Sequence, residues 1–534
     1  MAEAPAANWN GGQRLDPKQA TAVLLVLAAI ALMVQYVETM VIPAIPTFQR
    51  FFGQPIPTVT WILTAYLLVG TVATPIFSKL GDILGKKRML VVVMAIYVVA
   101  VSVAGFTPNL ADALGLSRAN AIYLLIGVRG LQGIGIAMFP LAFAMIGEQF
   151  PPNRIGMAQG IVASMFAAGA AIGLFGGAWI TDNYGWQTTY HSITPFAILA
   201  LILTLALLPE SKVRSNVRLD VPGAAALGAA LGAFLVALSE GPSWGWSNFS
   251  YVSVGPVGLG VPQFLVVGVV ALAAFLLWEP RAKNPIVNFS RLKERNIWIS
   301  NVVGTTTAAS MFIIFVTMVE VVQVPTWANG LGQSVFVSGL LSVPSALAML
   351  VLGPFIGKAV SRFGPRPVMI LGGALVMVGG SSLFFFNRTE IQFVLGPMPA
   401  LVGMVMCFIA MTNVVVLASR PTEMGIQTGM NQTFRNLGMA VGPAIAATIL
   451  TSFTAIYLIP GTFGTRALVL PTLSGYQDAF LVTAILGAVG MVLSAFLRNY
   501  RYLADGTRVE GPSGRPVDVR APAEGGPAVA APAK

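Results

Sequence analysis

Long apolar runs alternate with short polar stretches along nearly the whole chain. A run of about 18 residues with few charges exceeds what a soluble core needs and matches the thickness of a bilayer. The pattern predicts fourteen membrane-spanning helices, at about 20–46, 58–78, 89–106, 121–147, 156–181, 190–208, 221–240, 258–280, 298–325, 334–355, 367–386, 396–419, 428–457 and 477–497. The expected fold class is all-α integral membrane, with both ends of the chain on one side because the number of crossings is even. The first nineteen residues are polar and lead into a span too long for the apolar core of a signal peptide, so an uncleaved first helix is expected.

Charge orients this map. Of the 31 Lys and Arg, 25 fall in the N-terminal segment, alternate loops and the C-terminal tail, four (Arg50, Arg118, Arg388, Arg466) in the opposite loops, and two (Arg129, Arg435) within spans. Basic loops stay cytoplasmic, so both termini are expected there, in a multi-pass plasma-membrane protein. Trp244, Trp246 and Tyr251 fall in an outer loop, where aromatic residues anchor spans at the interface.

Composition narrows the chemistry. The 534 residues are 56% hydrophobic and 10% charged, with a net charge of +11 that is dispersed among short loops, so no nucleic-acid partner is expected. One His and one Cys cannot build a conventional metal site, and no Gly-x-x-x-x-Gly-Lys-Ser/Thr loop is present for a nucleotide. No convincing nucleophile and base pair up, so an enzyme is not expected, nor a cofactor. Cys407 reads as a packed thiol, and His191, near the outer end of the sixth span, as a packed or interfacial residue ahead of a proton relay.

Two acids stand out within the apolar runs: Glu38 in the first span and Glu320 in the ninth. Charge inside a membrane is costly and usually marks a substrate or ion pathway. Glu38 is read as a proton carrier, against the alternative that it meets water at the outer mouth. Glu320, the only acid between Glu294 and Glu390 and one turn from Gln323, reads as a second proton site or a cation-recognition carboxylate, with a snorkelling or hydrogen-bonded role as the alternative.

A weak internal repeat divides the chain. Ser78-Lys-Leu-Gly-Asp82-Ile-Leu-Gly85-Lys86-Lys87-Arg88 follows the second span, and Gly357-Lys-Ala-Val-Ser361-Arg362-Phe-Gly364-Pro-Arg366 follows the tenth. The expected organisation is a cytoplasmic segment 1–19, a six-helix bundle 20–208, a two-helix insert 209–297, a second six-helix bundle 298–500 and a disordered cytoplasmic tail 501–534. Repeated halves are typical of transporters that bind substrate at mid-membrane between them.

At these residues the chain resembles the major facilitator superfamily, and within it the fourteen-helix drug:proton antiporters. The family's loop motif is matched by Asp82, Gly85, Lys86, Lys87 and Arg88, with Ser78 in place of its opening Gly and Ile83 in place of a basic residue. The resemblance implies a conformational latch, in which Asp82 meets helix-end dipoles and basic groups of a neighbouring helix; a plain topology signal is the alternative. In the fourth span, Arg129-Gly-Leu-Gln132-Gly133-Ile-Gly135 matches the family's Arg followed by Gln-Gly, which implies a buried Arg129 near the proton pathway, with Glu38 as its candidate acceptor or backbone carbonyls as the alternative. Glu38, with Pro46 eight positions on, stands where the family commonly has Asp before Pro. Gly160, Gly169, Gly173, Gly176 and Gly177 give the fifth span a small-residue stripe for close helix packing, with Gly173 where the antiporter motif has proline; Gly442-Pro443 follows Arg435 and Gly438 in the thirteenth span.

The function implied is a monomeric secondary exporter that moves amphipathic compounds, cations preferred, out as protons move in, through a cavity lined by apolar and aromatic side chains. An exporter of lipid, siderophore or another native metabolite is the first alternative. A membrane sensor or scaffold that transports nothing is the second.

Overall fold

The computed structural model describes residues 17–150, 152–210, 220–249, 252–254, 257–283, 285, 293–418, 424–461 and 464–498. The tail expected at 501–534, most of the N-terminal segment and Tyr251 lie outside them. Helices make up nearly all of the described chain. In the first half they are α1 (Pro17–Thr39), α2 (Ile45–Phe52), α3 (Ile56–Leu84), α4 (Lys86–Ala104), α5 (Thr107–Ala113), α6 (Arg118–Gly133), α7 (Met138–Gln149), α8 (Pro152–Tyr184) and α9 (Trp186–Leu207). The insert holds α10 (Val221–Trp244) and α11 (Val261–Trp278), separated by the short strands β1 (Val252–Val254) and β2 (Val257–Leu259). The second half has α12 (Arg295–Gln323), α13 (Val335–Phe363), α14 (Pro365–Phe385), α15 (Glu390–Leu395), α16 (Pro397–Ala418), α17 (Met424–Ser452) and α18 (Leu473–Ala495), with β3 (Thr454–Gly461) and β4 (Gly464–Pro471) paired antiparallel between the last two.

Twelve helical stretches among the described residues are long and apolar enough to cross a membrane. Two more long helices, α8 and α17, occupy the remaining two expected positions. Helix ends follow local chemistry: Ser117, Asp220 and Ser334 accept hydrogen bonds from backbone N–H groups of the first turns of α6, α10 and α13. The loop repeat has a backbone reason. Gly85 (φ 111°) and Gly364 (φ 84°) each end one helix and start the next in a left-handed conformation that disfavours a side chain.

At two boundaries strands take the place of expected helix. The thirteenth span was expected to reach 457, but α17 stops at Ser452 because the β-branched and aromatic run from Thr454 to Ile459 pairs with β4 instead. The eighth span starts at Val261, since residues 257–259 form β2.

The chain halves repeat one packing motif. α1 lies against α8, and α12 lies against α17 in the same way; between halves, α3 packs on α17 and α8 on α13. α10 sits across α3 and α17, with α11 outside it. α12 is buried along most of its length, whereas Val266, Val270 and Leu277 of α11 are more than half exposed, as a lipid-facing helix requires.

The halves meet tightly at the end that loop charge assigns to the outside. Gln323 Nε2 donates to the Pro43 carbonyl at 2.7 Å, the Phe336 N–H to Asp182 Oδ2 at 3.4 Å, and Phe175 packs on Phe336 with ring centroids 5.6 Å apart. Gly339 approaches Leu174 and Ala178 so closely that a Cβ there would lie 2.4 Å from the Ala178 methyl. Further along α13 toward the opposite end, a Cβ on Gly353 would meet nothing within 4 Å among the described residues. The halves are therefore in direct contact at this end.

Candidate functional site

Glu38 lies one residue before the end of α1 and is 2% exposed. Its carboxylate receives only a long hydrogen bond, 3.5 Å from Gln35 Nε2, and makes no ion pair among the described residues. The cation acting on it most strongly is Arg435 of α17, in the other half, ahead of Arg129.

Arg129 is fully buried at the inner face of α6. Its acceptors differ from the expected Glu38: Nε donates to the Ile62 carbonyl at 3.0 Å, and Nη1 to the Val37 carbonyl at 3.3 Å and to Gln132 Oε1 at 2.8 Å. The guanidinium lies over the Tyr66 ring, 4.4 Å from its centroid. Backbone carbonyls are the nearer partners, so Arg129 stitches α1, α3 and α6 together around the acid. Gln132 extends the network to the Ala100 carbonyl of α4 at 3.1 Å. Gly133 and Gly135 are required by space, since a Cβ would fall 2.1 Å from the Tyr66 carbonyl or 2.4 Å from the Tyr97 ring.

Glu320 sits in the last turn of α12 and is also 2% exposed. Its electrostatic partner is Arg50 on α2, again from the other half. Gln323, one turn on, bridges Pro43 and Ser338 Oγ, the latter at 2.9 Å.

The glycine stripe serves α1. A Cβ on Gly173 would lie 2.2 Å from Thr39 Oγ1, and one on Gly177 2.6 Å from Met40 Cβ, whereas Gly176 leaves ordinary contact space at 3.7 Å from Tyr36. Gly442, just before Pro443, meets Ala309 and Phe312 of α12 likewise.

At the opposite end, Asp82 pairs with Lys86, the first residue of α4, at 3.1 Å, is 53% exposed and makes no other ion pair among the described residues. The acid that engages the motif is Glu210, just past α9. It accepts from the Lys87 N–H at 3.2 Å, pairs with Arg88 at 3.6 Å and lies against Gly85, capping the start of α4. His191 packs on the Phe106 ring at 4.4 Å, and Cys407 is fully buried with Sγ 3.7 Å from the Met369 carbonyl.

Sequence reasoning passed over three features. Glu210 looks like an ordinary loop acid without the fold. Glu240 closes the expected seventh span and so reads as a boundary residue, yet it is buried and accepts from Trp61 Nε1 at 3.1 Å. Arg435 is recognisable as an intramembrane charge, but its setting is not: Phe166 of α8 and Phe408 of α16 flank it, and Phe139 and Phe143 of α7 continue the aromatic wall.

The comparisons with known proteins agree with this architecture. Residues 27–223, 221–443 and 325–524 match the Major Facilitator Superfamily. The chain is similar to the multidrug transporter protein MdtP of Bacillus subtilis (strain 168), 27% identical over 399 residues, covering 74% of this chain and 68% of that protein. It is also similar to the tetracenomycin C resistance and export protein of Streptomyces glaucescens, 28% identical over 446 residues, covering 80% and 76%. Among solved structures, a crystal structure of a D-xylose-proton symporter superposes with a TM-score of 0.60 at 12% identity, over 90% of this chain and 98% of the other, a likeness of fold alone.

Proposed function

Because this chain belongs to the Major Facilitator Superfamily, and is thus a multi-pass membrane transporter and not an enzyme, we propose that it is a proton-coupled antiporter that exports amphipathic compounds. Fourteen crossings with both termini cytoplasmic complete the reading, supported by the twelve candidate spans, the placement of α8 and α17, and the loop charges. The multidrug and tetracenomycin C export ascribed to the relatives supports efflux of organic compounds.

One observation carries the proton coupling. Glu38 and Glu320 occupy the corresponding first helices of the two halves, and the strongest opposing charge on each comes from the other half, Arg435 for Glu38, ahead of Arg129, and Arg50 for Glu320. Rocking the halves apart at either end changes an acid's distance from its cation, and that change lets a buried carboxylate load or release a proton as access alternates. Both acids are almost sealed from solvent, which suits protons better than bulky cargo.

The test is transport in proteoliposomes under an imposed pH gradient. Glu38→Gln removes the titrating group while keeping its shape, and drug movement driven by the gradient is expected to cease while movement down a drug gradient persists. Undiminished gradient-driven transport in this variant would place the proton elsewhere.

A further inference from the structure

We propose that Arg435, seated between Phe166 and Phe408 at the junction of the chain halves, is a cargo-recognition residue that takes the anionic oxygen of a flat aromatic compound, a carboxylate or phenolate. The inference rests on the export reading above and deepens it by naming the cargo's chemistry.

Arg435 is half-buried on α17, and its guanidinium carbon lies 5.3 Å from the Phe408 centroid and 6.0 Å from that of Phe166. Phe408 belongs to α16 in the second half and Phe166 to α8 in the first, so the cation sits where the halves face each other. Phe139 stacks near Phe166 at 4.9 Å and near Phe143 at 4.5 Å, and all four rings are only partly buried. They form an aromatic wall with accessible surface on either side of one positive charge.

A guanidinium carries five N–H donors in a rigid fork. Among the described residues Arg435 uses none of them in a hydrogen bond or ion pair, whereas Arg129 donates from Nε and Nη1 to two carbonyls and Gln132. Glu38 acts on Arg435 electrostatically without contact and is itself buried, at 2% exposure. The charge presented to cargo is therefore the cation, whereas the acids expected from the sequence to favour cations are each only 2% exposed. An isolated cation at membrane depth is stabilised by an acceptor, and a planar carboxylate or phenolate meets its fork in two parallel hydrogen bonds. The flanking rings then stack on the aromatic body that carries this oxygen. An inside-negative membrane potential would drive such an anion outward and a proton inward together.

Purified protein is titrated with a matched pair of probes, anthracene-9-carboxylate and 9-(aminomethyl)anthracene, which share a ring system and differ in charge. The carboxylate is expected to bind the unaltered protein roughly tenfold or more tightly than the ammonium, the scale of a charge-assisted hydrogen bond. Arg435→Gln is expected to weaken carboxylate binding by roughly the same factor and to leave the ammonium unchanged or tighter, with Arg435→Lys intermediate because it keeps charge without the fork. Phe408→Leu, a mild change that keeps the fold, is expected to weaken both probes. Preference for the ammonium, carboxylate binding insensitive to Arg435→Gln, or no binding of either probe to the monodisperse unaltered protein would overturn the proposal. None of these outcomes touches the proton reading, which stands or falls on Glu38→Gln under a pH gradient.

Discussion

Gln323 and Pro43 lie 280 residues apart in the chain and are joined by a hydrogen bond of 2.7 Å, from the side-chain amide to the proline carbonyl. Gln323 also donates to Ser338 Oγ at 2.9 Å, so one buried amide closes α12, α13 and the turn after α1 onto each other. Replacing Gln323 with Ala strands the Pro43 carbonyl and is expected to weaken the outer seal by about 1–2 kcal/mol, enough to shift the balance between closed and open ends by roughly five- to thirtyfold. A cysteine introduced at Ala44, which is buried in this seal, should then react faster with a membrane-impermeant maleimide. Equal labelling rates would show that packing alone holds the seal.

The glycines of α8 offer a graded test of helix approach. Gly177→Ala forces a methyl against Met40, whose Cα and Cβ lie within 2.7 Å of the position it would take, while Gly176→Ala meets only Tyr36 at 3.7 Å. The first change is expected to lower stability by about 1–3 kcal/mol, an overpacking cost, and the second to be near neutral. Thermal unfolding in detergent separates them, and equal melting points would mean that α1 and α8 adjust freely to each other.

How much of this was legible in the sequence depended on what kind of signal each feature leaves. Hydropathy runs encode spans directly, because a bilayer demands about twenty apolar residues, and the positions of α4, α14 and α16 follow the expected segments within a few residues. The repeated turn was legible through Gly85 and Gly364, whose positive φ leaves a glycine in fixed register. The hairpin after Ser452 was hidden because its residues are as apolar as those of the helix before it, and only their alternate pairing with β4 separates them. Partner choice was least legible. Arg129 and Glu38 look like a pair by type, yet carbonyls of two neighbouring helices stand closer to the guanidinium, and the Glu210 contact with Arg88 joins residues 122 positions apart, a separation that no local pattern encodes.

The loop motif divides its work between two acids, and substitution should separate them. Asp82 is half-exposed and, among the described residues, pairs only with Lys86, so Asp82→Asn is expected to change stability by less than about 0.5 kcal/mol while slowing exchange between states. Glu210→Gln loses the Arg88 pair and the negative charge at the start of α4, and a loss of about 0.5–1 kcal/mol is expected, discounted for its partial exposure. Melting curves paired with turnover in vesicles check both; unaltered turnover in Asp82→Asn would reduce that residue to a topology signal.

The insert helix α10 is tied to both halves within one turn. Glu240 accepts from Trp61 Nε1 of α3 at 3.1 Å, and the Leu238 carbonyl accepts from Thr448 Oγ1 of α17 at 2.7 Å. The second bond has a sequence cause. Leu238 would ordinarily receive the N–H of the residue four positions on, but that residue is Pro242, which has none. Thr448 fills the gap from a neighbouring helix, so a proline inside α10 becomes its attachment to the second half. Trp61→Phe keeps the ring and strands the buried carboxylate of Glu240, and Thr448→Val keeps the shape and strands the carbonyl; each is expected to cost about 1–3 kcal/mol. Their contacts lie on different partner helices, so if α10 only fills space beside two independent bundles, the effects in the double variant should add. If α10 couples the bundles at their outer ends, the double variant should depart from additivity by more than about 0.5 kcal/mol, since freeing one side relieves strain on the other. Strict additivity, measured by thermal unfolding of the four proteins, would leave the insert as a passenger rather than a tie between the moving parts.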